Sequence, residues 1–138
     1  MTKRIIFALV IILIIIFSAV SVMGSPKEDV TINITSESID NSPFEYVIIE
    51  LCDVNGSLID TDDGNFDLFF QDPDGCTGFI CEKEPLKNGK IIMKTSKESY
   101  DVNITYNGGM FYKNATLCKY LEKATKPTNY TDDDLTND

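Results

Sequence analysis

The chain contains no histidine and no tryptophan, and only 12 of its 138 residues are lysine or arginine. Without histidine it lacks the usual general base near neutral pH and the commonest metal ligand. Ser-His-Asp and Cys-His catalytic arrangements therefore cannot be built from this chain alone. The 22 acidic residues give a net charge of −10, and a negative surface repels phosphate backbones. We expect no nucleic-acid partner.

Paired carboxylates are the remaining route to hydrolytic chemistry in such a chain. Here the acidic residues fall in turns and near the C-terminus, and a short β domain offers little room for a substrate cleft. We therefore expect a protein that is not an enzyme and that carries no cofactor, apart from the calcium candidate described below.

The N-terminal segment predicts where the chain works. Lys3 and Arg4 precede an apolar run over residues 5–17, and small residues follow up to Gly24. This layout is typical of a secretory signal. Residues 5–22 also reach the roughly 17–25 apolar residues of a spanning helix, so residues 1–24 are either a signal peptide or a signal-anchor. Both alternatives place residues 25–138 outside the cytoplasm, secreted or anchored at the cell surface, with membrane contact only through residues 5–22.

Four cysteines follow this segment, namely Cys52, Cys76, Cys81 and Cys118. An even number in a small exported domain predicts disulfides, with free thiols or metal binding as the alternatives, although a zinc site would need CxxC pairs or histidines. Three pairings are possible. In one of them a Cys76–Cys81 bond closes a hairpin tip and leaves Cys52 to pair with Cys118 across a long loop.

Five Asn-x-Ser/Thr sequons predict glycosylation of an exported domain. Their asparagines are Asn33, Asn55, Asn103, Asn114 and Asn129. Asn33 and Asn103 share the polar parity of their predicted strands, so a sugar on either residue would point toward water.

Alternation of apolar and polar residues with period two is the main structural signal. Turn sequences such as Asn55-Gly56, Asp72-Pro73-Asp74-Gly75 and Asn88-Gly89 separate the alternating segments. The segments predict seven short strands at about residues 30–35, 46–53, 66–71, 79–82, 90–94, 100–106 and 115–121. Such a pattern predicts an all-β antiparallel sandwich over residues 25–122. Residues 123–138 are acidic and poor in apolar side chains, which predicts a disordered tail.

One acidic stretch is a candidate calcium site. Asp60, Asp62, Asp63 and Asp67 lie close together around Gly64, and Ca²⁺ takes six to eight oxygen ligands. The spacing does not fit an EF-hand, because the glycine comes one position early and no glutamate closes the loop. The alternative is a solvated, charged connection between strands.

Three pieces, in order, resemble one protein family. Residues 51–59 (LCDVNGSLI) resemble the "V-x-D-x-x-G-x-P-L" strand and turn of bacterial and archaeal immunoglobulin-like repeats. Residues 88–92 (NGKII) resemble their "N-G-x-A-x-L" strand, and residues 100–116 are similar to their closing "Y-x-V-x-x-x-Y-x-G-x-x-x-Y-x-x-A/S". The chain departs from this pattern in its four cysteines and in lacking the proline after the Asn-Gly-Ser turn.

The family occurs in adhesin-like surface proteins, notably those of methanogenic archaea. The resemblance implies an Ig-like sandwich of about seven strands over roughly residues 30–121. It also implies a binding role without catalysis, toward a protein or glycan on another surface. Two alternatives stay open: a structural, glycosylated component of the cell envelope, and a small secreted inhibitor or effector that uses the loop from Asp72 to Cys81.

Overall fold

The structure is a computed structural model that describes residues 2–11 and 26–136. Residues 2–11 are helical. Within the described residues no helix combines the length and the apolar character needed to cross a bilayer. Most of the predicted signal or anchor, residues 12–24, lies outside the described ranges, so its function stays a prediction.

The predicted all-β architecture with seven strands is confirmed. In chain order the strands are β1 (Thr31–Ser38), β2 (Phe44–Cys52), β3 (Asn65–Gln71), β4 (Gly78–Pro85), β5 (Lys90–Ser96), β6 (Tyr100–Tyr106) and β7 (Ala115–Leu121). They form one sheet with the order β1-β2-β5 and a second with the order β4-β3-β6-β7, and every pairing within the sheets is antiparallel.

The core lies between the two sheets and is built from the alternation seen in the sequence. On β6 the side chains of Tyr100, Val102, Ile104 and Tyr106 are buried, while Asp101 and Asn103 are exposed. Each fully buried large apolar side chain contributes roughly 1.5–3 kcal/mol to folding. The buried side chains that form this core are Ile34, Val47, Ile49, Leu51, Phe66, Leu68, Phe70, Leu86, Ile91, Met93, Tyr100, Val102, Ile104, Tyr106 and Leu121.

Tyr100 fixes the corner where the chain passes from β5 to β6 between the sheets. It is the first residue of β6, and its ring packs edge-on against Phe70 with 5.7 Å between ring centroids. Its hydroxyl donates a hydrogen bond to the Ser96 carbonyl at 3.1 Å, four residues upstream. A buried phenol needs such an acceptor, so the contact holds the corner in one conformation.

The C-terminal segment differs from the predicted disordered tail, because the structure packs it on the outer face of the three-stranded sheet. The Ser38 amide donates to the Lys126 carbonyl at 2.7 Å, and the Thr128 amide donates back to the Ser38 carbonyl at 3.1 Å. The chain then forms a 3-10 helix over Asp132–Asp134 and reaches β5, where the Thr136 amide donates to the Ile92 carbonyl at 3.0 Å.

The reason for this packing is that β2 is apolar on both faces. Its outward side chains Tyr46 and Ile48 form a second buried cluster with Ile92, and Tyr130 and Leu135 cover that cluster. Because the sheet would otherwise expose this cluster, the segment that covers it gains apolar burial. The acidic composition predicted disorder, but burial of Tyr130 and Leu135 against this cluster favours the packed segment.

A polar contact anchors the covering segment. The Tyr46 hydroxyl donates to Asp132 Oδ1 at 2.8 Å, and Lys94 Nζ lies 3.1 Å from the same oxygen. Burial, reinforced by the Asp132 carboxylate, raises the pKa of Tyr46 to about 12. The hydrogen bond from Tyr46 and the contact with Lys94 lower the pKa of Asp132, so this anchor is complete at neutral pH.

Glu45 is an acidic side chain inside the sandwich. It has the inward parity of Val47 and is fully buried. Its Oε2 accepts the Ala124 amide at 2.8 Å, while Oε1 has no hydrogen-bond partner among the described residues. Burial raises the pKa of this carboxyl, and the Ala124 amide and Lys97 oppose the shift only in part.

This raised pKa predicts how stability depends on pH. A carboxyl whose pKa is higher in the folded than in the unfolded chain makes the native state bind more protons. The free energy of unfolding should therefore fall as pH rises from the ordinary pKa of 4.5 through the raised pKa, at about 1.4 kcal/mol per unit of pKa difference. Glu45→Gln should flatten this part of the profile, because the amide still accepts from Ala124 but does not ionise.

Urea denaturation between pH 4.5 and 8 measures the effect. Glu82→Gln is the matched control, because Glu82 is exposed on β4. An unchanged pH profile in Glu45→Gln would contradict the assignment of this carboxyl as a destabilising buried charge.

Candidate interaction site at the loop end

Three connections between strands meet at one end of the sandwich, which we call the loop end. They are residues 53–64 between β2 and β3, residues 86–89 between β4 and β5, and residues 107–114 between β6 and β7. Hydrogen bonds join them: the Gly89 amide donates to the Thr61 carbonyl at 2.7 Å, and the Met110 amide donates to the Asp63 carboxylate at 3.0 Å. The three loops therefore form one hydrogen-bonded surface.

Asp63 holds the β6–β7 loop in place. Its Oδ1 accepts the backbone N–H of Met110 at 3.0 Å, and its Oδ2 accepts that of Phe111 at 3.0 Å. Hydrogen bonds to an ionised carboxylate are about twice as strong as neutral ones. One side chain from the β2–β3 connection thus fixes the backbone of a different loop at two successive residues.

Tyr106 positions Asp63 from the core side. This last residue of β6 is buried, and its hydroxyl donates to the Asp63 carbonyl at 2.7 Å. Burial, with a smaller effect from the Asp63 charge, raises the pKa of Tyr106 to about 12. The phenol therefore stays protonated and keeps donating throughout the physiological range.

Two glycines make these close approaches possible. A Cβ atom at Gly109 would overlap the Asp63 carboxylate, and one at Gly64 would lie 2.6 Å from the Tyr106 ring and hydroxyl. Gly64 also has φ of +91°, a conformation that residues with a Cβ rarely adopt. Neither position accepts another residue without moving the loop end.

The loops held in this way present large apolar side chains to solvent. Met110 is 75% exposed and Phe111 is 61% exposed, on a loop whose backbone is fixed by Asp63. Val54 and Leu58 of the β2–β3 connection are also exposed at the same end. Apolar residues that a folded chain leaves exposed on an ordered loop are typical of interaction surfaces.

The calcium candidates do not converge on one point. Asp62 Oδ1 accepts the Asn88 amide at 2.8 Å, and Asp67 Oδ1 accepts the Lys83 amide at 2.8 Å, in the irregular part of the β3–β4 pairing. The Asp63 carboxylate accepts two backbone amides of the β6–β7 loop, and Asp60 is exposed. In residues 2–11 and 26–136 no three His, Cys, Asp or Glu side chains are grouped as a metal site would require. The geometry assigns Asp62, Asp63 and Asp67 to backbone amides.

All four cysteines are free thiols in the structure, so none of the three possible pairings is formed there. Cys52 shares the outward parity of Ile48 on β2, and Cys118 is exposed on the outer side of β7 in the other sheet. Stacked sheets lie about 10 Å apart, and bonded cysteines need Cα atoms within about 7 Å. A Cys52–Cys118 bond therefore does not fit the sandwich.

The hairpin-tip bond fails for a different reason. Cys76 lies in the β3–β4 turn, whereas Cys81 lies three residues into β4 beyond Gly78 and packs toward the core. A strand rises about 3.3 Å per residue, so β4 carries Cys81 too far from the turn. Cys52 lies on the three-stranded sheet, so its pairs with Cys76 and Cys81 would join different sheets. Cys118 lies on β7, and β6 separates it from the β3–β4 hairpin, which contains Cys76 and Cys81.

The five sequon asparagines are all exposed in the structure. Asn33 and Asn103 have the outward parity predicted for them, and Asn33 lies directly across from Glu50 on β2. Asn55 lies in a turn that Asp53 closes by accepting the amides of Asn55 and Ser57 at 2.9 and 3.0 Å. Exposure makes these sites accessible, and whether they carry sugars stays a prediction.

The sequence alone did not predict the candidate site at the loop end. Its signal was the order Gly108-Gly109-Met110-Phe111, two glycines that allow a tight loop followed by two large apolar residues. In the sequence Asp63 is one of four acidic residues in a run, and its partners are 47 and 48 residues away in the chain. No local pattern encodes that contact.

The chain matches no known protein-family model, no curated protein and no solved structure.

Asp63→Ala tests the organisation of the loop end. Removing both carboxylate acceptors should lower the free energy of unfolding by about 1–3 kcal/mol. It should also speed hydrogen exchange at the Met110 and Phe111 amides. Asp60→Ala is the matched control, since Asp60 is exposed and has no side-chain hydrogen bond within the described residues. Equal exchange rates in the two variants would contradict the role of Asp63.

Thiol labelling of the native protein tests the cysteine assignment. Cys76 and Cys118 are exposed and should react first, and Cys52 should react last because it is buried. Burial also raises the pKa of the Cys52 and Cys81 thiols, which reduces the reactive thiolate at neutral pH. Mass spectrometry without reductant counts the labels, and a mass showing unlabelled, oxidised pairs would contradict the structure.

Proposed function

We propose that the chain is an exported, immunoglobulin-like binding module without catalytic activity, which attaches to a protein on another surface through the loop end. The observation that carries the proposal is the exposed Met110-Phe111 pair on a loop fixed by Asp63. Support for the fold type, the location and the binding role comes from different parts of the molecule.

The strand order supports an immunoglobulin-like fold. In constant-type domains the first, second, fifth and fourth strands form one sheet, and the third, sixth and seventh form the other. Here the order is β1-β2-β5 and β4-β3-β6-β7, so the same seven strands recur with β4 on the second sheet. Sandwiches with related strand orders are widespread among cell-surface domains.

The Tyr100 contact supports the same fold type. Immunoglobulin-like domains carry a tyrosine near the start of the sixth strand, whose hydroxyl bonds to the backbone a few residues upstream. Tyr100 is the first residue of β6 and donates to the Ser96 carbonyl. In antibody domains a disulfide cysteine follows that tyrosine by two residues, and here the buried Val102 occupies the position.

Export is supported by the sequence of the N-terminal segment and by the surface of the domain. A basic start, an apolar run and small residues are the layout of a secretory signal. The exposed position of all five sequon asparagines fits a domain that meets the glycosylation machinery during export.

The ordered loop end supports binding rather than mere solubility. A loop that is already fixed loses little conformational entropy when a partner docks. Aromatic side chains dominate the energy of many interfaces, and methionine adapts its shape to irregular partner surfaces. Met110 and Phe111 therefore suit an apolar pocket on a protein better than the polar surface of a glycan.

The proposal is tested by titrating the fluorescently labelled exported protein onto intact cells of the organism that produces it. Binding should be saturable, and Phe111→Ser should weaken it at least tenfold, since hot-spot residues contribute about 2 kcal/mol or more. Phe44→Ser is the matched control, because Phe44 is also an exposed aromatic residue, at 42%, but is the first residue of β2 and lies away from the loop end. Absence of saturable binding, or equal weakening by both variants, would contradict the proposal.

A further inference from the structure

The outer face of the four-stranded sheet carries an uncovered row of side chains. The pairing register aligns Ile80 of β4, Phe69 of β3, Asn103 of β6 and Cys118 of β7 across the sheet. All four point away from the core, since their chain neighbours on each strand face inward. Directly opposed side chains on neighbouring strands have Cβ atoms about 4.5–5.5 Å apart.

This row leaves apolar surface in water. Phe69 is 40% exposed and Ile80 is 64% exposed, and Tyr120 is exposed two residues along β7 from Cys118. On the opposite side of the sandwich the C-terminal segment covers the comparable apolar cluster around Tyr46 and Ile48. Among the described residues no segment covers the row on the four-stranded sheet.

The row itself contains a glycosylation sequon. Asn103 begins the sequon Asn103-Ile104-Thr105, and Thr105 lies on the same outer parity of β6. Asn103 stands directly opposite Phe69. The sequon on β1 is different, because its Asn33 stands opposite Glu50 and donates to Glu50 Oε1 at 3.4 Å.

We propose that Asn103 carries an N-linked glycan whose first sugar packs on the Phe69 ring and covers the row. Asn103 Nδ2 bonds to C1 of an oligosaccharide delivered on a polyisoprenyl phosphate carrier. The bond between C1 and the phosphate oxygen breaks, the lipid phosphate leaves with its electron pair, and it takes up the proton that the amide nitrogen loses. The inference depends on export but not on the binding role of the loop end.

The chemistry of the two surfaces matches. A pyranose ring has an apolar face of C–H groups, and the face of an aromatic ring carries partial negative charge that attracts them. The short separation between opposed residues brings a sugar on Asn103 to the neighbouring ring without bending the sheet. Covering Phe69 and Ile80 removes apolar surface from water, so this glycan stabilises the fold whereas a glycan on Asn33 does not.

Glycopeptide mass spectrometry of the exported protein from its native organism tests occupancy first. We expect a hexose-containing or hexosamine-containing glycan on the peptide with Asn103. An unmodified Asn103 overturns the proposal, whatever the state of the other four sequons. This result would leave the proposed binding at the loop end untouched.

Thermal unfolding of the full chain, secreted from a host that glycosylates sequons, tests the packing. Asn103→Gln should lower Tm by about 4–8 °C, whereas Asn33→Gln should leave Tm unchanged. In a Phe69→Ser background the effect of Asn103→Gln should disappear, because the ring that the sugar packs on is gone.

The same variants produced in a host without glycosylation separate the sugar from the side chain. There Asn103→Gln should not change Tm. A loss of Tm in that host, an equal loss in Asn33→Gln, or a loss that persists in Phe69→Ser would each overturn the proposed packing.

Discussion

A buried phenol must find an acceptor for its hydroxyl, and the way Tyr106 meets this requirement shapes the loop end. The Tyr106 ring packs against Phe66 in the core, with 5.3 Å between ring centroids. Its hydroxyl extends to the β2–β3 connection and donates to the Asp63 carbonyl at 2.7 Å. Once Asp63 is placed, its carboxylate meets the amides of Met110 and Phe111. Packing in the core thus determines the conformation of an exposed loop.

The two outer faces of the sandwich show two ways of treating apolar residues outside the core. On the three-stranded sheet Tyr46, Ile48 and Ile92 are sealed by the chain's own C-terminal segment, which Asp132 anchors. On the four-stranded sheet Phe69 and Ile80 stay open, with a glycosylation sequon between them and the edge strand. A sugar on Asn103 would cover Phe69 and Ile80 as the C-terminal segment covers the other sheet. The sugar would be added after synthesis, whereas the segment is part of the chain.

Burial and hydrogen bonding hold this structure together, and no pair of its cysteines is bonded. The four cysteines are dispersed over different faces and ends, and two of them are exposed. A sandwich of roughly 100 residues buries enough surface to fold without disulfides, unlike chains below about 40 residues. Even cysteine number was the basis for predicting disulfides, but parity along each strand decides which side chains can meet.

The amino-acid sequence by itself determined the seven strands, their turns and the outward parity of Asn33 and Asn103, because alternation and turn chemistry act between near neighbours. Tertiary structure alone decided the role of Asp63, the free state of the cysteines and the packing of the C-terminal segment. These features depend on contacts between residues far apart in the chain. Such contacts exist only after two sheets have stacked, and no local pattern specifies them.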